Sequence, residues 1–187
     1  MTAVEIRPAE VADAPAIQRI ARAGWHAAYD DVFGPDVVDE YVDDWYAPET
    51  LEDPITDPGV GYFVAEADDG TAECAGDGSD SGGTAEPSIV GYASCGPAED
   101  EYPDDCGGLY SIYVDPERWG EGIGSALLDR AETFLEERGH DRLRVVVLAA
   151  NDVGTSFYRS HGYERKKRRV DEFGGSEHAE YVFGGDL

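Results

Sequence analysis

Apolar and polar residues recur along this chain with two periods, and the switches between them divide it into elements. Val4 to Arg7 alternates as a short strand. After Asp13, read as an N-cap, Ile17, Ile20 and Ala21 fall at helical spacing, and Trp25 and Tyr29 continue that face. Val37, Val38, Tyr41, Val42 and Trp45 repeat the spacing from Pro35 to about Tyr46, a second helix ending before Pro48. Gly61 to Ala67 and Ile89 to Ser94 read as strands. Between them, 68–88 is a Gly, Ser, Asp and Glu tract without periodicity, expected to be a flexible insertion in a hairpin.

The second half is denser in pattern. Leu109 to Val114 is a strand, and Ser125 to Arg138 places Ala126, Leu127, Leu128, Ala131, Phe134 and Leu135 on one helical face, closed by Gly139. Leu143 to Ala149 is nearly all apolar and β-branched, as expected of a strand covered on both faces and parallel to the one before the helix. Strand, helix and strand form a βαβ unit. A short helix over 151–160, with Val153 and Phe157 inward, precedes closing strands at Tyr163 to Val170 and His178 to Phe183. The expected fold class is α/β, a mixed sheet with antiparallel ends around one parallel crossover.

Composition adds constraints. With 187 residues the chain suits one domain over 1–187. Its 41 Asp and Glu against 14 Lys and Arg give a net charge of -27. Such repulsion opposes compaction at ordinary ionic strength, whereas near 1 M salt the Debye length is only about 3 Å. A high-salt, halophilic cytoplasm is the simplest setting. An acidic disordered chain is disfavoured by 11 Tyr, 6 Phe, 3 Trp and several apolar runs. Cys74, Cys95 and Cys106 have neither pairing parity nor metal-ligand spacing, so free thiols and no metal are expected. No run approaches the length of a membrane span, and no basic, apolar leader opens the chain, so the expected place is the cytoplasm. The basic run Arg165 to Arg169 stands alone among acids, which argues against nucleic-acid binding.

Between the strand and the long helix stands P-E-R-W-G-E-G-I-G-S, with glycines at 120, 122 and 124. Bare backbone at a helix N-terminus suits an anion, above all a phosphate. No lysine follows the glycines, so a Walker A loop is excluded. The dinucleotide fingerprint fails because D-P-E-R-W separates strand from glycines and Ser125 replaces the third glycine.

Val114-Asp115-Pro116, the run Trp119 to Leu128, Asn151, and F-Y-R-S-H-G-Y from Phe157 to Tyr163 together resemble the GNAT superfamily of N-acetyltransferases. The resemblance implies a sheet of six to seven strands with a splayed parallel pair and about four flanking helices. It implies acetyl-CoA as co-substrate, with pyrophosphate held by Trp119, Gly120, Glu121, Gly122, Ile123, Gly124 and Ser125. It further implies that Ile112, Tyr113 and Val114 offer backbone hydrogen bonds to the pantetheine arm, that Asn151 lies close to that arm, and that Tyr158 protonates the departing thiolate. Trp25 and Tyr29 fall where members build the acceptor side, although core packing also accounts for both.

The chain departs from the family pattern twice, with Trp119 where Arg or Gln is usual and Gly108 where many relatives carry a glutamate base. Asp105, Glu99 or a water chain then remain as candidate bases. The expected activity is acetyl transfer to a primary amine of a small molecule or protein, by a monomer or homodimer. The alternatives are a non-catalytic acyl-CoA-binding module and an acidic scaffold.

Overall fold

The computed structural model describes residues 4–67, 88–98, 103, 105–173 and 175–187. The 68–88 tract, apart from Ser88, lies outside the described residues, as do Cys74 and Glu99. In chain order the elements are β1 (Val4–Pro8), α1 (Ala14–Phe33), α2 (Pro35–Trp45), α3 (Pro48–Thr56), β2 (Gly61–Ala67), β3 (Ser88–Pro97), β4 (Cys106–Val114), α4 (Ile123–Glu136), β5 (Arg142–Leu148), α5 (Asp152–Ser160), β6 (Glu164–Phe173) and β7 (Ser176–Asp186). The strands form one sheet in the order β1-β2-β3-β4-β5-β7-β6. Only β4 and β5 pair in parallel; every other neighbouring pair is antiparallel. This is the mixed α/β sheet that the patterning and the resemblance imply.

The helices cover both faces. On one, Leu127, Leu128, Ala131 and Leu135 of α4 pack with Phe63, Ala93, Leu109, Leu143 and Phe183, and Tyr158 of α5 joins them. Burying each of those leucines contributes about 1.5–3 kcal/mol before entropy is counted. On the other, Ile17, Ile20, Trp25 and Tyr29 of α1, Val38 and Val42 of α2 and Leu51 of α3 cover Tyr62, Val64 and Tyr92.

Four elements differ from the sequence reading. Asp13 does not cap α1 with its side chain. It ends a 3-10 turn, reaching back to the Glu10 N–H at 2.8 Å and receiving two bonds from Arg7 at 2.7 and 3.0 Å. Burial would raise the Asp13 carboxyl, but the Arg7 and Glu10 hydrogen bonds outweigh it and hold it below its ordinary range. The helix α3 carries no readable period because only Leu51 of its nine residues is buried and two are prolines. Val153 is 53% exposed rather than inward; Thr155 and Tyr158 form the buried face of α5. The apolar strand β5 is buried at alternate positions only, with Val146 open to a cleft.

The basic run lies on β6, an edge strand, where Arg169 pairs with Glu180 at 2.7 Å and Lys166 with Glu164 at 2.6 Å. Cys95 and Cys106 are buried and unbridged. Among the described residues no helix is long and apolar enough to cross a membrane.

Gly24 sets how closely α1 approaches the sheet, because a Cβ there would fall 2.5 Å from Cδ1 of Tyr113. Gly24→Val is expected to lower stability by about 1–3 kcal/mol through overpacking, despite the gain in helix propensity. Denaturant unfolding checks this, and an unchanged midpoint would show that the contact does not fix the helix.

Candidate active site

The site begins where two strands stop pairing. Parallel pairing of β4 with β5 runs from Cys106 opposite Arg142 to Leu109 opposite Val145, yet the strands continue to Val114 and Leu148. The break coincides with a bulge, since β3 places Cys95 opposite Leu109 and Ser94 opposite Ser111, which leaves Tyr110 as an extra residue. A bulge bends its strand and strengthens the local twist, here opening a gap. Beyond it the Asp115 N–H bonds the Val90 carbonyl at 2.8 Å. Alternation along an antiparallel ladder then turns the main-chain groups of Ile112 and Val114 away from β3, towards the gap. The Trp119 indole N–H takes the Val114 carbonyl at 2.9 Å. Both groups of Ile112 and the N–H of Val114 are left to face a ligand.

The glycine turn closes the far end of this gap. Gly120 and Gly122 have φ of 83° and 85°, a left-handed conformation, and a Cβ on either would meet nothing within 4 Å. Glycine is required there by backbone conformation, and the space above it is open. The first bond of α4 runs from the Ala126 N–H to the Gly122 carbonyl at 3.1 Å. The amides of Ile123, Gly124 and Ser125 therefore have no helical acceptor and present the positive helix end to an anion. Not every side chain of the turn takes part. Ile123 is buried in the core, so only its main chain is available, and exposed Glu121 is engaged by Arg118 at 2.8 Å and does not line the cleft. Ser125 does line it, with its hydroxyl 2.8 Å from Nε2 of His161.

Asn151, Tyr29 and Tyr158 form the opposing wall. Asn151 caps α5 by accepting the Gly154 N–H at 2.7 Å, and its Nδ2 donates to the Tyr29 hydroxyl at 3.0 Å. Tyr113 of β4 lies close to the same hydroxyl, so the hydrogen bond from Asn151 ties the first helix to the fifth beside that strand. Tyr158 is 4% exposed, and its hydroxyl makes no hydrogen bond to the described residues. Burial pushes that hydroxyl above the ordinary tyrosine range, so it stays protonated well into alkaline solution.

Together these groups line a cleft of about 400 Å³. The splayed segments Tyr110 to Val114 and Val145 to Val147 make its walls. A smaller cavity of about 250 Å³, lined among others by Trp45, Tyr46, Tyr62 and Ser94, shares Tyr110 and Ser111 with it. The hydroxyls of Ser94 and Ser111 lie 2.6 Å apart at that junction. Trp25 lines neither cavity; it is 6% exposed and packs among the rings of Tyr29, Trp45 and Tyr113. Of the other sequence candidates, Tyr29, Ile112, Tyr113, Val114, Trp119, Gly120, Gly122, Gly124, Ser125, Asn151 and Tyr158 all border the cleft.

Among the described residues no carboxylate borders the cleft, and Arg118 is its single charged side chain. Asp105 stands at the opposite end of β4, 3.9 Å from Arg142, and is thereby removed from the candidate bases. Gly108 is buried, with Tyr110 and the backbone of Ala98 covering the position a side chain would take. Sequence reasoning missed Ser111, Val146 and His161. The signal for Ser111 was the bulge, which no local pattern announces, that for Val146 an apolar run that reads equally well as core, and that for His161 only its place in F-Y-R-S-H-G-Y.

A splayed parallel pair, a main-chain anion seat at a helix N-terminus and an unpartnered tyrosine hydroxyl between them fit an acyl-CoA. The chain matches the acetyltransferase (GNAT) family over residues 25–163 and belongs to that family. It is an acetyl-CoA-dependent acyltransferase. It is 28% identical over 167 residues to the uncharacterized N-acetyltransferase YuaI of Bacillus subtilis, covering 87% of this chain and 81% of the relative. It is 22% identical to the spermidine N(1)-acetyltransferase of Thermoplasma acidophilum, over 93% of each chain. The fold is shared with the crystal structure of PaiA N-acetyltransferase from Thermoplasma acidophilum in complex with coenzyme A, at a TM-score of 0.72, 21% identity and 99% coverage of both chains.

Asn151→Ala removes both the cap of α5 and the bond to Tyr29, and is expected to cost about 1 kcal/mol in denaturant unfolding. Asn151→Asp keeps the capping oxygen and should recover most of that loss. Equal stability of the alanine variant and the parent would remove Asn151 as a structural cap.

Proposed function

We propose that this enzyme transfers the acetyl group of acetyl-CoA to a primary amine, on a small molecule or a protein, by direct attack within a ternary complex. One observation carries the reading: the protonated, unpartnered hydroxyl of Tyr158 faces the same cleft as the anion seat and the free main-chain groups of the splayed strand.

The thioester supplies the acetyl group, and the chain's own residues supply position, charge stabilisation and a proton. The amides of Ile123 to Ser125 hold the pyrophosphate, with Gly120 and Gly122 giving it room. The N–H groups of Ile112 and Val114, fixed in direction by the ladder, donate to the pantetheine arm and to charge developing on the carbonyl oxygen. The hydroxyl of Tyr158 gives its proton to the departing sulfur as the C–S bond breaks, and the proton shed by the nitrogen as the C–N bond forms restores the phenol through water. The acceptor enters from the Tyr110 and Ser111 side, where the smaller cavity has room for its body. The relative acting on spermidine makes polyamines one class to assay, beside monoamines and peptide N-termini.

With no carboxylate bordering the cleft among the described residues, the acceptor gives up its proton to water before attack. The test is amine-dependent release of the CoA thiol over a panel of those three classes. Intersecting initial-velocity patterns are expected, and parallel lines would instead indicate a covalent enzyme intermediate. No release with any amine would sink the reading.

Tyr158→Phe is expected to lower kcat about 10²-fold while changing acetyl-CoA affinity little. An unchanged kcat would remove Tyr158 as the proton donor. The value of kcat/KM should rise about tenfold per pH unit up to the acceptor's own pKa, because only the neutral amine attacks. The break should move when the acceptor is changed; a break fixed at one pH for all acceptors would point to an enzyme base.

A further inference from the structure

The pair formed by Ser125 and His161 is not required by anything described so far. His161 lies at the C-terminus of α5, and its ring has three hydrogen-bonding neighbours. Its Nδ1 is 2.8 Å from the Phe157 carbonyl and 3.2 Å from the Ser160 hydroxyl, while Nε2 is 2.8 Å from the Ser125 hydroxyl. A carbonyl only accepts, so the proton of neutral His161 sits on Nδ1. Nε2 is then an acceptor, and the Ser125 hydroxyl donates to it. In that state Ser125 turns lone pairs, not a proton, towards the anion seat.

Protonation of His161 reverses the arrangement. Nε2 becomes a donor to the Ser125 oxygen, and the serine proton is released towards the cleft that Ser125 borders. We propose that His161 is a positioning residue for the pyrophosphate of acetyl-CoA, its protonation switching Ser125 from acceptor to donor and tightening the cofactor's grip. The inference rests on the reading of the glycine turn as the pyrophosphate seat. No atom of His161 touches the phosphate; its effect passes through the serine.

The ring of His161 lies between the end of α5 and the first turn of α4. Its hydrogen bonds among the described residues go to Phe157, Ser160 and Ser125 alone. The charged side chains on the elements around it are Asp129, Arg130, Glu132 and Glu136 on α4, Asp152 and Arg159 on α5, and Glu164 opening β6; among the described residues none forms an ion pair with it. A protonated ring leaves Ser125 a proton to offer an anion, and an anion held there in turn favours the imidazolium. Pyrophosphate binding and His161 protonation therefore favour each other. The sign follows directly: affinity is highest below the histidine range and falls as pH rises through it.

Dephospho-CoA is the suitable probe, because it keeps the pyrophosphate but lacks the 3′-phosphate monoester, whose second ionisation near pH 6 would obscure the effect. Calorimetric titration from about pH 5.5 to 8.5 should show affinity falling roughly tenfold, the worth of one charge-assisted hydrogen bond. The imidazole of His161, followed by NMR, should titrate at higher pH when the ligand is bound. Ser125→Ala and His161→Gln should each flatten the profile, and a folded spectrum of either one suffices for the comparison. A flat profile in the parent protein, or an undiminished slope in both variants, would overturn the proposal. Absence of binding at every pH would overturn the pyrophosphate seat itself.

Discussion

The parting of β4 from β5 after Leu109 and Val145 is the constraint on which the rest of the site depends. While two strands pair, their main-chain groups are spent on each other, and the space between them is closed. Once they part, each exposes a row of donors and acceptors of fixed direction along an apolar wall. Such an exposed row inside a domain is tolerable only if something else satisfies it. Here one carbonyl is covered by the indole of Trp119 and the others face a cleft shaped for a ligand. In the acyl-CoA reading proposed above, binding completes the sheet rather than merely occupying a hole in it.

Rigid elements hold the two ends of that row. The α4 helix is fixed by its buried leucines against the sheet, and its first turn has no freedom to retreat from the gap. On the other side Gly24 lets α1 come close enough to Tyr113 for Tyr29 to meet Asn151. Electrostatics follow from the same arrangement. In the proposed seat an anion meets chiefly main-chain dipoles, because Arg118 is engaged by Glu121. In a chain of net charge -27, concentrating attraction in oriented amides keeps the seat favourable to phosphate without a basic patch.

Much of this was legible in the sequence, for identifiable reasons. The βαβ unit announces itself because α4 carries a clean helical period between two compact apolar runs, and the glycine turn because left-handed φ at 120 and 122 leaves few residues to choose from. That Asn151 and Tyr158 border one cleft was readable only through the family resemblance, since an asparagine cap and a buried tyrosine are ordinary on any helix. What could not be read lay in contacts distant along the chain. The α3 helix is held by tertiary packing of Leu51 and not by its own pattern. The exposure of Val146 depends on a partner strand moving away. Asp13 looked like a cap, but Arg7 turned it into an ion-pair partner.

The extra residue at Tyr110 has a further consequence, one of parity. Side chains along a strand alternate between two faces, so an odd insertion exchanges the faces of everything after it. Leu109, before the bulge, and Ile112 and Val114, after it, all face α4, while Tyr113 faces α1. Removing one residue between Leu109 and Ile112 would thus do more than shorten a strand. It would send Tyr113 towards α4, turn Ile112 and Val114 towards α1, and reverse which amides look into the gap. Length variation in this strand is therefore restricted to even steps, whereas the turns on either side are bound by no such rule.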